Sequence, residues 1–523
     1  MTPSRSTADL VKNSTTVSVL TMLGVVSTLL VDLAIAAYFG TQPQADAFFI
    51  ASTIPNIIVG SLLVTVQVIL VPIIVNMLHE HPAASAYSMA SAVINVGTLL
   101  WLVIAAVAIG LAPLVMPLLA WGASDWVKAQ AVVLSQALFL MLPFTWLAES
   151  LKAGLNAHYR FTLAAAMTLV GNLAALLIIG LTVGRVGIGS ITLGYLTRTI
   201  VPIPILLIAY RASGARYVLT LGQRYAATLR AAFRLFALRL GAILARESDT
   251  LLERFLASFL PSGSIAALAY AQRAAVGLES VLAGGVSVVI MPDLAHLSAT
   301  QQKAEQQRLL TTSVKMLLLV TLPIVGMSIA LSAPLTALLF GRGQFDAAAV
   351  QLTAALLSLY LIGLPFSALV RVIFTAFYAG RDARTPAVHM LIMLAVNTIL
   401  LLVLFPALGI YTIPLAASLT YAVSLGRSFW LLQRNHLALS RMGGLLAKML
   451  AATLVASVVA VQLYSLADPA SLSTILNALW LAIAGGSAML LYLVLLWGLG
   501  VAEIRRLTAL VWQRTTGSIK SSR

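Results

Sequence analysis

Fourteen stretches of about 20 to 32 residues run through this sequence with few or no charges in most of them. About 20 consecutive apolar residues make a helix long enough to cross the hydrocarbon of a bilayer. The fold class is therefore all-α: a polytopic membrane protein of about 14 transmembrane helices. The balance of the chain agrees, with 60% hydrophobic residues, 9% charged residues and a mean hydropathy of +1.00. No soluble domain has that composition.

The remaining charge orients the helices. Loops on the side of the termini hold nineteen Lys and Arg, from Arg5 to Arg523, against Lys128, Arg185 and Arg342 on the other side. Cytoplasmic loops collect Lys and Arg, so both termini are expected in the cytoplasm. The formal net charge of +16 thus calls for no nucleic-acid partner. The longest basic connection follows the sixth span, and its arginines and apolar residues suggest an amphipathic helix on the inner leaflet. The expected organisation is 1–210 as a six-helix N-lobe, 211–232 as a basic cytoplasmic linker, 233–440 as a six-helix C-lobe, and 441–523 as two further helices with a basic tail. The last two spans carry almost no charge and read as lipid-facing. Six plus six spans suggest two related bundles, as in transporters built from repeats. No sequence repeat between the halves is evident.

One stretch breaks the apolar pattern. Between Arg239 and Glu279 lie Arg239, Arg246, Glu247, Asp249, Glu253, Arg254, Arg273 and Glu279. Each charge at the centre of a membrane helix costs about 2.5–3.5 kcal/mol, so eight facing lipid would cost roughly 20–28 kcal/mol. They must face each other, a wet cavity or the interface. At about 100° per residue, Arg239, Arg246 and Glu253 share a face, and Asp249 stands one turn from both Arg246 and Glu253. Internal ion pairing and a polar transport cavity are both consistent with this spacing. Pro55, Pro143, Pro202, Pro204 and Pro365 fall inside spans and mark expected irregular helices.

Three stretches together resemble the MurJ (MviN) family of lipid II flippases in the MOP exporter superfamily. Asp32, Phe39-Gly40, Asp46-Ala47-Phe48-Phe49 and Pro55-Asn56 match the first family pattern. Ala257 to Arg273, ASFLPSGSIAALAYAQR, resembles the run between the seventh and eighth helices, and Phe377 to Pro386 matches a loop of the type FY…D…TP. Leu155-Asn156, Arg160-Phe161 and the FGRGQF of Phe340 to Phe345 add weaker matches. The resemblance implies a flippase with two lobes around a central polar cavity. A cationic cradle would hold a lipid-linked pyrophosphate, with Asp32, Asp46, Asn56 and Arg273 among its residues.

The chain departs from that pattern. Val25 and Val31 stand where the family's first helix carries arginines, and Val59-Gly60 replaces another. Candidates for a rebuilt cradle are Arg198, Arg239, Arg246, Arg371 and Arg427, since an arginine fork suits a phosphate. Arg371 and Arg427 lie near helix ends, and the plainer reading for both is snorkelling to the inner surface. The resemblance also implies a monovalent-cation site, sodium in type, with Glu253, Asp249 and Asn397 as ligands. Leu401 occupies a further ligand position and cannot coordinate an ion.

Absent motifs narrow the rest. No GxxxxGK[ST] appears, no catalytic grouping is placed, and there is no cysteine. His79 and His81 share a surface loop without a fixed third ligand, so no metal is expected there. The expectation is a non-enzymatic flippase of the bacterial inner membrane that needs no cofactor beyond a cation. It would carry a polyprenyl-pyrophosphate-linked glycan, lipid II or an exopolysaccharide precursor, by alternating access. The glycan's tail would stay in lipid along the last two helices. A drug exporter of the same superfamily and a non-transporting scaffold for cell-wall enzymes are the alternatives.

Overall fold

Every regular element of the computed structural model is a helix among the residues it describes: 7–221, 230, 233–237, 241, 247–435, 437, 439, 442–467 and 473–505. Eleven described stretches are long and apolar enough to cross a membrane, and one of them, Arg384–Arg434, holds two helices that are each more than 20 residues long. The helix Ser264–Ala299 has 36 residues. Most of the span expected at 233–260 lies outside the described residues, as does much of the expected linker. The chain is a multi-pass membrane protein.

The first unit comprises Met1–Ala266 with Arg342–Phe345. Its helices are α1 (Thr7–Phe39), α2 (Pro43–Glu80), α3 (Ala83–Leu119), α4 (Asp125–Phe139), α5 (Met141–Ala157), α6 (Phe161–Val186), α7 (Gly189–Ile200), α8 (Pro202–Ala212) and α9 (Ser248–Ala257). Two of its spans are each made of two helices. The break between α7 and α8 falls at Val201, where Pro202 has no N–H to continue the ladder. That between α4 and α5 falls at Leu140, three residues before Pro143. Pro55 behaves differently and sits buried within the unbroken α2, as Pro365 does within a later helix. A membrane proline disturbs a helix little when neighbouring helices hold the chain on both sides of it.

The linker expectation needs correction where it can be examined. Residues 215–221 are not helical. Ser91 and Asn95 of α3 take up their backbone: the Val218 N–H donates to Ser91 Oγ at 3.1 Å, and Asn95 Nδ2 donates to the carbonyls of Val218 and Thr220 at 2.9 and 3.0 Å. Side-chain partners that satisfy the backbone remove the need for helical bonds. Residues 342–345 join this unit because the Gln344 N–H donates to the Ala37 carbonyl at 2.9 Å. A Cβ on Gly343, whose φ is +61°, would collide with that same carbonyl oxygen.

The second unit comprises Ala267–Gly341 and Asp346–Arg523. It contains α10 (Ser264–Ala299, from Ala267), α11 (Lys303–Ala330), α12 (Ser332–Phe340), α13 (Ala347–Ala379), α14 (Arg384–Leu408), α15 (Thr412–Arg434), α16 (Gly443–Ser465) and α17 (Thr474–Gly498). Its core joins Leu310, Val314 and Leu317 of α11 to Val372 and Ile373 of α13, Met449 and Ala456 of α16, and Tyr492 and Leu496 of α17. The last two helices are therefore not wholly lipid-facing. Ala452, Ala456 and Ala460 recur every four residues and are buried, as are Ala484 and Ala488. Small residues at that spacing let membrane helices approach closely. Tyr492 Oη donates to the Leu319 carbonyl at 3.2 Å, while Leu454, Leu490 and Val494 stay exposed on the outer side.

One helix ending recurs in the turns of both units. After the fourth expected span, Tyr159 has φ 59° and the Arg160 N–H reaches back to the Leu155 carbonyl. After the tenth, Arg381 has φ 62° and the Asp382 N–H reaches back to the Phe377 carbonyl. Both are the same left-handed helix ending. The same ending closes α10, where Gln301 has φ 56° and the Gln302 N–H reaches back to the Leu297 carbonyl.

Candidate cargo-binding and ion-binding residues

Asp46 is tightly engaged in the first unit. It is 4% exposed in the first turn of α2. Its carboxylate accepts from the Ala266 N–H at 2.8 Å, from the Gly263 N–H, and from Ser262 Oγ at 3.4 Å. It thereby caps the start of α10, where free N–H groups and the helix dipole favour an anion. Gly263 is held at φ +91°, and a Cβ there would strike the Thr41 carbonyl oxygen. Arg254 of α9 adds a bond from Nη1 to the Ile265 carbonyl at 3.4 Å. The acid of the DAFF motif thus holds a turn, and its lone pairs are already committed to protein donors. Asp46→Ala leaves two buried N–H groups without an acceptor, each costing about 1–3 kcal/mol. A lowered unfolding midpoint in detergent, with Asp46→Asn less affected, is the expected result. An unchanged midpoint for Asp46→Ala would refute the cap.

Arg198 of α7 lies half-buried with its guanidinium 4.3 Å from the centroid of the Tyr195 ring. Tyr195 in turn meets the edge of Phe48 at 5.4 Å. The DAFF aromatic therefore supports the ring that carries the cation, by cation–π attraction. Asp32 is buried in α1, and Asn56 is half-buried in α2 just after Pro55. Where the resemblance expects arginines, Val31 is 1% exposed and Val25 is 59% exposed, so the two face different surroundings. Gly60 is exposed, and a Cβ there would meet nothing within 4 Å.

Arg239 and Arg246 lie outside the described residues. Glu253 and Asp249 both belong to α9 and are half-buried, four residues apart on one side of that helix. Asn397 belongs to the second unit. It is 5% exposed on α14, and its Oδ1 accepts from Thr420 of α15 at 3.2 Å. Leu401, one turn on, is fully buried. Arg273 stands half-buried in α10, after the buried run from Ile265 to Ala271.

Arg371 and Arg427, read from the sequence as snorkelling, also have specific partners. Arg371 pairs with Glu279 at 2.6 Å, and Ser367 also donates to that carboxylate at 3.1 Å. Arg427 lies 2.7 Å from His389 Nδ1. Both cations sit where carboxylate or imidazole acceptors on neighbouring helices reach them, which a helix-end position alone does not reveal.

Sequence reasoning missed a polar cluster in the first unit. Glu149 and Lys152 of α5 form an ion pair at 2.7 Å, with side chains 6% and 14% exposed. Gln67 of α2 donates to Glu149 Oε2 and to the Glu149 carbonyl, both at 3.1 Å, and accepts from Asn156 Nδ2 at 2.9 Å. The available signal was a Glu and a Lys three residues apart at the end of an apolar run, with a Gln inside another.

The chain shares its fold with solved multi-helix membrane proteins. A solved inward-facing multidrug-resistance MATE family transporter of the MOP superfamily shares it with a TM-score of 0.65 at 13% identity, covering 81% of this chain and 97% of that one. A solved lipid II flippase MurJ in an inward closed conformation matches with a TM-score of 0.74 at 21% identity, covering 91% of this chain and 97% of that chain. A relative from Rhizobium meliloti (strain 1021), described as a probable lipid II flippase MurJ, is 29% identical over 495 residues, 90% of each chain. The family model described as lipid II flippase MurJ matches residues 35–480, and the chain belongs to that family. The resemblance read from the three sequence stretches is borne out.

Proposed function

We propose that this chain flips lipid II, a polyprenyl-pyrophosphate-linked peptidoglycan precursor, across the bacterial inner membrane by alternating access. The observation that carries the reading is the family match over residues 35–480. A transporter makes and breaks no covalent bond, so no catalytic residue is assigned. Arg273 and Arg198 are the described cations best suited to pyrophosphate oxygens, through planar charge-assisted bonds. Valines at 25, 31 and 59 in place of cradle arginines support a second cargo, an exopolysaccharide precursor on the same type of carrier. Depletion of a host's own lipid II flippase separates the two. Rescue of growth by this chain supports lipid II, and a stably inserted chain that fails to rescue counts against it.

Orientation follows from charge. With both termini in the cytoplasm, Lys303 faces the cytoplasm and Ser262 the periplasm. In this cysteine-free chain, an impermeant thiol reagent applied to intact cells is expected to label Ser262→Cys and spare Lys303→Cys. The reverse pattern would overturn the topology.

The carboxylates of Glu253 and Asp249 are the proposed holders of a monovalent cation, since two acids four residues apart on one helix favour a bound positive charge. Glu253→Gln keeps the shape and one oxygen but removes the charge. Transport by this variant should fall and lose its dependence on sodium. A sodium response equal to wild type would remove Glu253 from the site.

A further inference from the structure

His389 of α14 is 2% exposed. Phe374 of α13 meets its ring edge-on, with centroids 4.7 Å apart. Its two nitrogens point at two groups of α15: Nδ1 lies 2.7 Å from Arg427 Nη1, and Nε2 lies 2.6 Å from Ser424 Oγ. A guanidinium carries five donors and no acceptor. Nδ1 must therefore be the bare nitrogen that accepts, and Nε2 carries the hydrogen and donates to Ser424. The ring is neutral and locked in one tautomer.

A second proton can enter this ring only at Nδ1, where the lone pair is already used. Once protonated, the imidazolium would face a guanidinium at hydrogen-bond distance with nothing left to accept. We infer that His389 is a proton-binding site at which the proton and the Arg427 guanidinium compete for the same lone pair. At higher pH Arg427 holds the site; as pH falls, the proton expels it.

The surrounding groups leave that competition local. On α13, Arg371 is engaged with Glu279 at 2.6 Å. Before α14, the hydroxyl and N–H of Thr385 hold the Asp382 carboxyl below the usual carboxylate range, so it stays ionised through histidine's range. On α15, Ser424 and Ser428 are uncharged, with Ser428 Oγ donating to the Ser424 carbonyl at 2.8 Å. Arg384 begins α14, five residues before His389.

The consequence runs along one helix pair. Asn397 lies eight residues beyond His389 on α14, about 12 Å along the helix, and accepts from Thr420, four residues before Ser424 on α15. Arg427–His389–Ser424 and Thr420–Asn397 are thus two successive polar pins between α14 and α15. Protonation breaks the Arg427 half of the first pin and leaves the Nε2–H bond to Ser424 and the Thr420–Asn397 pin in place. In a transporter this makes a proton the ligand that releases Arg427 from α14. That step rests on the function proposed above; the proton site does not.

Gly426 gives the test. It is exposed beside Arg427, a Cβ there meets nothing within 4 Å, and the chain has no other thiol once Gly426→Cys is made. A spin label at that position is read in the reconstituted full chain from about pH 8 to about pH 3.5, a range that runs past the lower end of histidine's ordinary one. The expected result is a reversible change in label mobility that is lost in His389→Asn. The asparagine Oδ1 keeps an acceptor for Arg427 but takes no proton. Arg427→Met, which has no competitor to expel, should show the low-pH mobility at every pH. The same transition in His389→Asn, or none in the wild-type background, overturns the proton site. If His389→Asn does not reconstitute, Arg427→Met decides: a wild-type transition there also overturns it. Lipid II flipping that is flat over this range would refute the transport step alone. No flipping at any pH would count against the proposed function instead, because the label needs no cargo.

Discussion

Arg273→Ala is expected to abolish cargo transport while the protein still inserts at normal levels. Arg273 is half-buried in α10, two turns beyond Ala266, and it is the one described arginine that stands in place within the family-like run ASFLPSGSIAALAYAQR. The cargo's pyrophosphate has to leave water to cross the membrane, and a fixed fork of donors replaces its hydration. Two charge-assisted hydrogen bonds are together worth about 3–6 kcal/mol. Losing them slows a transport step by about two to four orders of magnitude. Valines at 25, 31 and 59 mean that few other described cations can share the load. Arg273→Lys keeps a point charge without the fork, so it should retain a small fraction of the rate. Flipping in proteoliposomes, measured beside expression and thermal stability, decides the matter. Full activity of Arg273→Ala removes it from cargo binding, and lost protein level with rescue by lysine makes it a packing residue.

The sequence made the spans legible because apolar length and composition are one-dimensional signals. It made the DAFF and PN motifs legible as well, but not what Asp46 does. Its partners are the backbone N–H groups of Gly263 and Ala266, the latter 220 residues away, and a backbone amide has no letter of its own. His389 and Arg427 are 38 residues apart, and Gln67 and Glu149 are 82 apart. Neither pairing can be read from periodicity, which places a residue on a face but not the face against its neighbour. Lys152 is one of the nineteen terminus-side cations of the charge count, yet it lies inside α5, five residues before the helix end, where boundaries are least certain from sequence. The matching turns at Tyr159 and Arg381 were hidden for another reason. Neither uses the glycine that usually announces a left-handed residue.

The Glu149–Lys152 pair carries the other large effect, and here the expected loss is stability. Both side chains are nearly out of water, at 6% and 14% exposure, so each charge depends on the other. Removing one partner of a buried pair typically costs about 3–5 kcal/mol, because the survivor is left desolvated and unpaired. Glu149→Leu and Lys152→Met should each fall by roughly that amount in denaturant or thermal unfolding of the purified protein. The double variant leaves no charge behind. Gln67 Nε2 would still donate to the residue-149 carbonyl, the partner it holds at 3.1 Å now. The double change should therefore recover most of the loss, and a double-mutant cycle reads the coupling directly. Additive losses would mean that the two residues matter through packing and not through their charges. Transport separates the last two roles. A double variant that is stable but inactive would place the charged cluster in the transport cycle, whereas a stable and active one would confine it to holding α2 against α5.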